Sequence, residues 1–189
     1  MGLDILIMVE SEPHHPIDFS SMESTAYMAP LSNLFCNLLL RRDVSAVESE
    51  LDQIGAITDL DISPFYGMLE YTTDLNATSM LSFAETEEER QKILKQIEDG
   101  KAAAKGNLPH VLKLVDALLV RLAIIEDLPA RLDHGGRDTL NSAYYFDPSA
   151  EIVERNFPRH NFMQDLRDLK LFLEDMGGKG LKTVYFSME

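Results

Sequence analysis

Two adjacent histidines and a nearby carboxylate are the first residues whose types suit chemistry. His14 and His15 precede Asp18, and imidazole and carboxylate groups are ligands that zinc and other transition metals take. Adjacent side chains in an extended segment point in different directions, so the pair needs further ligands from elsewhere in the chain. A solvated pair of loop histidines explains the same residues.

A second group joins a carboxylate, an imidazole and two glycines. Asp133 precedes His134, and a carboxylate beside a histidine can orient the imidazole as a general base. Gly135, Gly136 and Arg137 suit the approach of a phosphate. The spacing fits neither a P-loop nor a dinucleotide fingerprint, and no nucleophile lies nearby, so a polar turn is the alternative interpretation.

These groups do not complete a site. The sequence leaves any catalytic residues unknown, assigns no metal ligand set and indicates no cofactor. A metal-assisted enzyme would need the loops with His14, His15, Asp133 and His134 to converge in one pocket.

The charge balance is more informative than the motifs. The 189 residues include 32 Asp and Glu against 17 Lys and Arg, a formal net charge of −15. Residues 1–82 hold 13 of the acids and only 2 of the bases. A chain this acidic repels phosphate backbones and anionic membranes, so we expect no direct binding to nucleic acid and none to membranes.

The acidic first half predicts a surface that binds another protein, preferably a basic one. The candidate partner-binding residues are the carboxylates of its loops and of its second helix. They are Glu10, Glu12, Asp18, Glu23, Glu48, Glu50 and Asp52.

Three features of the sequence indicate the cellular compartment. The single cysteine excludes an intrachain disulfide. The first forty residues hold no Lys or Arg, so the basic start of a secretory signal is missing. Charged residues interrupt the longest apolar stretch, at 111–128, which favours a buried helix over a membrane span. We therefore expect a cytoplasmic protein.

Hydrophobic periodicity predicts the elements that would position these residues. Apolar runs at the two ends predict strands at 3–9 and 181–188, and aromatic runs predict further strands at 65–73 and 143–146. Helical spacing predicts helices at 31–42, 44–54, 86–99, 107–127 and 162–176. Helix starts are marked by capping boxes at Ser45/Glu48 and Thr86/Glu89 and by the cap Asn161, and two helix ends are marked by Gly55 and Gly100. The expected fold is a single α+β domain spanning residues 1–189, helix-dominated. Five or six helices pack on a small sheet of three to five strands that includes both terminal strands.

Short motifs at both ends of the chain resemble a set of uncharacterised phage and bacterial proteins. Those proteins share the opening Met1-Gly2-Leu3-Asp4-Ile5 as a first strand. The further counterparts are Leu128-Pro129, Tyr144-Tyr145-Phe146-Asp147, Asp165 to Leu173 and Val184-Tyr185-Phe186. Residues 10–106 lie outside the resemblance. It implies a fold with both termini in strands and an origin in a mobile element, and it implies no catalytic residues.

Three functions remain open from the sequence. The favoured one is a small acidic interaction protein that binds or inhibits another protein, in the manner of an immunity protein or a phage-encoded modulator. The alternatives are the metal-assisted enzyme and a self-associating structural protein. Self-association would use the amphipathic helices 31–42 and 162–176 to form a homo-oligomer.

Overall fold

A computed structural model describes residues 5–10, 31–43, 48–135, 140–147 and 161–188. Two strands, nine α-helices and one 3-10 turn, Arg41–Asp43, lie in this part of the chain. The strands are β1 (Ile5–Glu10) and β2 (Thr183–Met188). The helices are α1 (Asn33–Leu40), α2 (Glu50–Thr58), α3 (Ser63–Glu70), α4 (Asp74–Ser82), α5 (Glu87–Ala104), α6 (Leu108–Leu122), α7 (Leu128–Arg131), α8 (Ser142–Tyr145) and α9 (Phe162–Gly178).

The two terminal strands pair with each other. β1 runs antiparallel to β2, with Ile7 opposite Phe186 and Val9 opposite Val184. Ile7, Val184 and Phe186 are buried in the main core, because alternate residues of a strand face the same side. The expectation of a helix-dominated fold whose small sheet includes both terminal strands is confirmed. The described residues form more helices and fewer strands than the sequence predicted.

The aromatic segments predicted as internal strands are helical. Residues 63–70 form α3, with Pro64 in its first turn and Phe65 and Met68 buried three residues apart. The predicted strand at 143–146 overlaps α8, which begins after Asn141 in a left-handed conformation. Strand propensity measures how a side chain fits a half-buried surface, so packing against a helical core overrides it.

Two glycines predicted to end helices lie inside them. Gly55 is within α2, which ends instead at Asp59 with a φ of 54°. Gly100 is within α5, where a Cβ atom would lie only 2.5 Å from the carbonyl oxygen of Glu70. Glycine at position 100 therefore lets α5 approach the end of α3 more closely than any other residue would allow.

Helix starts follow the capping rules more closely. Thr86 and Glu89 form the predicted capping box of α5, and Asn161 caps α9 as expected. The predicted box at Ser45 and Glu48 lies partly outside the described residues. The side chain of Ser49 caps α2.

α6 and α9 form the largest helix-to-helix contact among the described elements. Leu118 of α6 and Leu166 and Leu169 of α9 are fully buried. Asn107, just before α6, donates from Nδ2 to the carbonyl of Val184 at 2.8 Å and accepts from its N–H at 2.9 Å. The side-chain amide of Asn107 thus forms both hydrogen bonds with the backbone of Val184 in β2, and these bonds position the start of α6 against the sheet.

A buried carboxylate joins three helices. Asp165 of α9 is fully buried and accepts hydrogen bonds from the N–H and the hydroxyl of Ser32, at 2.9 and 2.6 Å. It also accepts from the Tyr145 hydroxyl of α8 at 2.9 Å. Since Ser32 is the N-cap of α1, Asp165 positions the start of α1 against α8 and α9.

None of the helices in the described part of the chain is both long enough and apolar enough to cross a lipid bilayer.

The close approach at Gly100 yields a stability prediction. Gly100→Ala should lower the free energy of unfolding by about 1–3 kcal/mol, since the added methyl group forces α5 away from the Glu70 carbonyl. Urea denaturation followed by circular dichroism measures this. Gly67→Ala in α3 is the matched control, because no atom lies within 4 Å of its Cβ position. The control should gain about 0.5–1 kcal/mol of stability, and an equal gain at position 100 would contradict the close approach.

Candidate functional site

A polar cluster lies among the ends of α1, α2 and α8 and the middle of α3. We call it the junction cluster, and its members come from the 3-10 turn after α1, the start of α2, the middle of α3, the loop after α7 and the start of α8. They are Arg41, Ser49, Glu50, Asp52, Tyr66, His134 and Ser142.

Glu50 is the centre of the cluster, and its side chain is only 1% exposed. Its Oε2 accepts from the Nε of Arg41 at 2.6 Å, and its Oε1 lies 3.4 Å from the Nδ1 of His134. A carboxylate this deep is stable only when such partners replace its lost water. The Arg41 pair compensates the buried charge.

The contacts of His134 decide what the cluster can do chemically. Glu50 Oε1 and Ser142 Oγ both approach the same ring nitrogen, Nδ1, at 3.4 and 3.2 Å. In a hydrolytic triad the hydroxyl and the carboxylate contact opposite nitrogens of the ring. Ser142 is also 1% exposed, so substrate cannot reach its hydroxyl in this arrangement. The three residues hold the loop in place and are not arranged for nucleophilic catalysis.

A second carboxylate in the cluster, that of Asp52, accepts hydrogen bonds from two hydroxyl groups. Ser49 Oγ donates to Asp52 Oδ2 at 2.5 Å, and the Tyr66 hydroxyl donates to Asp52 Oδ1 at 2.9 Å. The guanidinium of Arg42 lies 4.3 Å from the centre of the Tyr66 ring. Burial of the Tyr66 hydroxyl, aided by the Asp52 charge, raises its pKa from 10.0 to about 12. Tyr66 is therefore a neutral hydrogen-bond donor at ordinary pH.

The loop that carries His134 is clamped to α2. Gln53 donates from Nε2 to the carbonyl of Asp133 at 2.8 Å and accepts the N–H of Asp133 at 2.7 Å. The Asp133 side chain accepts from the N–H of Gly135 at 2.9 Å, which forms a tight Asx turn. Asp133 thus shapes the turn, and Glu50 is the carboxylate beside His134.

The predicted partner-binding residues have different fates. Glu48 is exposed, Asp52 is half-buried and bonded to Ser49 and Tyr66, and Glu50 faces the interior. A partner therefore cannot reach Glu50 without disrupting the fold. Glu10 lies in β1, and its side chain is outside the description. Glu12, Asp18 and Glu23 lie outside the described residues, as do His14 and His15.

A metal centre would need several ligands in one place. Within the described ranges, no group of three or more His, Cys, Asp or Glu residues could hold a metal ion. Of the residues proposed for a metal-assisted enzyme, Asp133 and His134 lie together against α2. Their convergence with the two loop histidines stays untested.

Several members of the junction cluster had no signal in the sequence. Arg41 suggested only a helix end, Tyr66 lies in a segment that the sequence predicts to be a strand, and Ser142 lies just before another such segment. Only Ser49 and Asp52 had the spacing of an N-cap and its third residue, which is a detectable pattern. The remaining contacts join residues as much as 84 positions apart, and local patterns do not contain such pairings.

The exposed acidic surface is better defined than any catalytic geometry. In residues 1–82 the only two cations are Arg41, paired with the buried Glu50, and Arg42, which lies 3.5 Å from Glu70. The exposed carboxylates of Glu48 and Asp61 form no ion pair within the described part of the chain. The described part of residues 1–82 therefore presents unpaired negative charge to solvent at these two positions.

Comparisons with protein-family models, with curated proteins and with solved structures found no match to this chain.

The raised pKa of Tyr66 predicts a pH effect. The folded pKa of about 12 exceeds the unfolded value near 10, so the native state holds more protons in this interval. Stabilisation present below pH 10 is then lost as the pH rises towards 12. Tyr66→Phe should make the fall in unfolding free energy between pH 10 and 12 less steep. Urea midpoints across this range test it, and parallel curves for the variant and the wild type would refute it.

Glu50 and Glu48 form a matched pair for a stability test. Glu50→Gln should lower the free energy of unfolding by about 3 kcal/mol, because it removes one charge of a buried ion pair. Glu48→Gln, two residues away and exposed, should change it by no more than about 0.5 kcal/mol. Equal effects in urea denaturation would show that Glu50 is not a buried structural carboxylate.

Proposed function

We propose that this chain is a small acidic interaction protein that binds, and thereby inhibits or modulates, a basic protein partner. An immunity protein or a phage-encoded modulator acts in this way, and the resemblance at the chain ends agrees with such an origin. The observation that carries the proposal is the engagement of both cations of the first half, while the exposed carboxylates of Glu48 and Asp61 have no ion pair among the described residues.

Electrostatic steering is the physical benefit of this arrangement. A surface of one sign raises the rate at which an oppositely charged partner associates, and salt screens the effect. Arg41 is paired with the buried Glu50, so these two residues together contribute no net charge to the surface. The negative field therefore comes from the exposed carboxylates, such as Glu48 and Asp61.

The alternatives have less support in the described geometry. The junction cluster holds its histidine and serine in contacts that serve the fold. The apolar faces of the helices suggested for self-association lie in the core, where Leu38 of α1 and Leu166 and Leu173 of α9 are fully buried. These faces are therefore already occupied within one copy of the chain.

Capture from a lysate of the native host, at low and at high salt, tests the proposal. The tagged protein should retain one stoichiometric basic protein at about 50 mM salt and lose it at about 500 mM, where the Debye length is only a few Å. Recovery of no stoichiometric partner at low salt, or of one whose affinity is insensitive to salt, would overturn the proposal.

Two charge reversals locate the surface once that partner is purified. Glu48→Lys should weaken binding by up to roughly tenfold at low salt, since it removes one favourable exposed charge and adds a repulsive one. Glu126→Lys is the control, because Glu126 is also exposed but lies after α6 in the second half. Isothermal titration calorimetry at two salt concentrations compares them, and equal weakening would argue against a surface in the first half.

A further inference from the structure

The turn between α4 and α5 exposes a large aromatic side chain. Phe83 is 79% exposed, the highest value among the large hydrophobic residues that the structure describes. Leaving a phenylalanine in water forfeits the free energy that its burial would supply. Met80 and Leu81, which precede it in α4, are only half-buried, as are Ile93 and Leu94 of α5. The turn therefore presents an aromatic side chain that the described part of the chain does not cover.

The hairpin is attached to the rest of the structure at its other end. Asp74 at the start of α4 and Lys101 near the end of α5 form an ion pair of 2.6 Å. The close packing at Gly100 holds α5 against the end of α3. These contacts show that α4 and α5 run antiparallel and that their base is attached to the body, so Phe83 lies at the far end.

The turn itself is also preorganised. The Phe83 N–H donates to the Met80 carbonyl at 3.2 Å. The carboxylate of Glu89 accepts the N–H groups of Glu85 and Thr86 at 2.9 and 3.2 Å. A surface already held in one conformation pays little ordering entropy when a partner binds. Exposed aromatic residues on such surfaces are the usual anchors of protein interfaces.

The charges beside Phe83 specify the chemistry of the occupant. Glu85, Glu87 and Glu88 are exposed, and the first cation along α5 is Arg90. Neither Glu85 nor Glu88 has a side-chain ion pair or hydrogen bond among the described residues, and Glu87 accepts only from Gln91, at 2.8 Å. An apolar anchor with a rim of unpaired carboxylates complements an apolar pocket rimmed by Lys and Arg.

We propose that the α4–α5 turn is a docking surface on which Phe83 inserts into an apolar pocket of a basic protein while Glu85, Glu87 and Glu88 contact its cationic rim. This rests on the proposed function for the existence of a basic partner, but it assigns the anchor to a different part of the chain from the carboxylates of the first half.

Because the chain has no tryptophan, Phe83→Trp supplies a single fluorescent reporter at the turn. The probe is a synthetic amphipathic peptide of Lys and Leu, and its counterpart of Glu and Leu is the charge control. The Lys peptide should shift the emission of the variant to shorter wavelength as the indole enters an apolar environment, and the Glu peptide should not. In the same background, Glu85→Gln, Glu87→Gln and Glu88→Gln together should weaken the apparent affinity about tenfold at low salt.

Leu171→Trp is the matched control reporter, because Leu171 is also well exposed, at 63%, but lies on α9. An equal response of both reporters would show attraction to the acidic chain as a whole and would overturn the proposal. No response of the Phe83→Trp reporter, or no effect of the three glutamine substitutions, would overturn it as well. Circular dichroism verifies that each variant is folded.

The captured partner separates this inference from the proposed function. Phe83→Ala should weaken its binding about tenfold or more, as truncation of an interface anchor does. Ile124→Ala, which alters a residue of similar exposure at 76% beyond α6, should leave binding unchanged. If the partner binds Phe83→Ala as tightly as the wild type, the docking surface is wrong and the proposed function stands. If no stoichiometric partner is captured, the proposed function is wrong, and the docking surface is then decided by the response of the Phe83→Trp reporter to the Lys peptide.

Discussion

The buried carboxylate of Asp165 is the interaction on which the rest of the arrangement depends. It accepts the backbone and the side chain of Ser32 together with the Tyr145 hydroxyl, so one charged group holds α1, α8 and α9 in register. A buried carboxylate is costly unless donors replace its water, and removal of a donor is far more costly than the net value of the bond. Burial beside Asp165 also raises the pKa of Tyr145 well above its ordinary value, which keeps that hydroxyl a donor.

The junction cluster also contains a buried carboxylate that connects separate elements, here at the start of α2. Glu50 joins the turn after α1 to the loop that follows α7 through Arg41 and His134. Both sites use carboxylates to join elements distant in the chain, and in both the nearby hydroxyls are inaccessible or engaged. Within the described residues, the carboxylates, hydroxyls and histidine of these two sites thus contribute to the fold.

That surface combines a general and a local property. The general property is negative charge, because Arg41 is paired inside and Arg42 lies beside Glu70 and over the Tyr66 ring. The local property is the exposed aromatic side chain of Phe83 in the α4–α5 turn, close in sequence to the carboxylates that begin α5. Charge accelerates encounter over a long range, whereas an aromatic anchor contributes to affinity after contact. The two properties therefore suit successive stages of binding one partner.

The sequence by itself determined the features that follow from local physics. Terminal apolar runs predicted β1 and β2, capping residues located the starts of α5 and α9, and counting charges predicted an acidic protein. Only the tertiary structure decided that residues 63–70 are helical, since their aromatic side chains fit a helical core as well as a sheet. It also decided that α5 continues through Gly100. The glycine at this position is required by close packing against the carbonyl of Glu70, thirty residues earlier, and not by the end of a helix. The same holds for Glu50, which has the sequence context of a surface carboxylate. Its burial depends on Arg41 and His134, and contacts between distant positions leave no periodic trace in the chain.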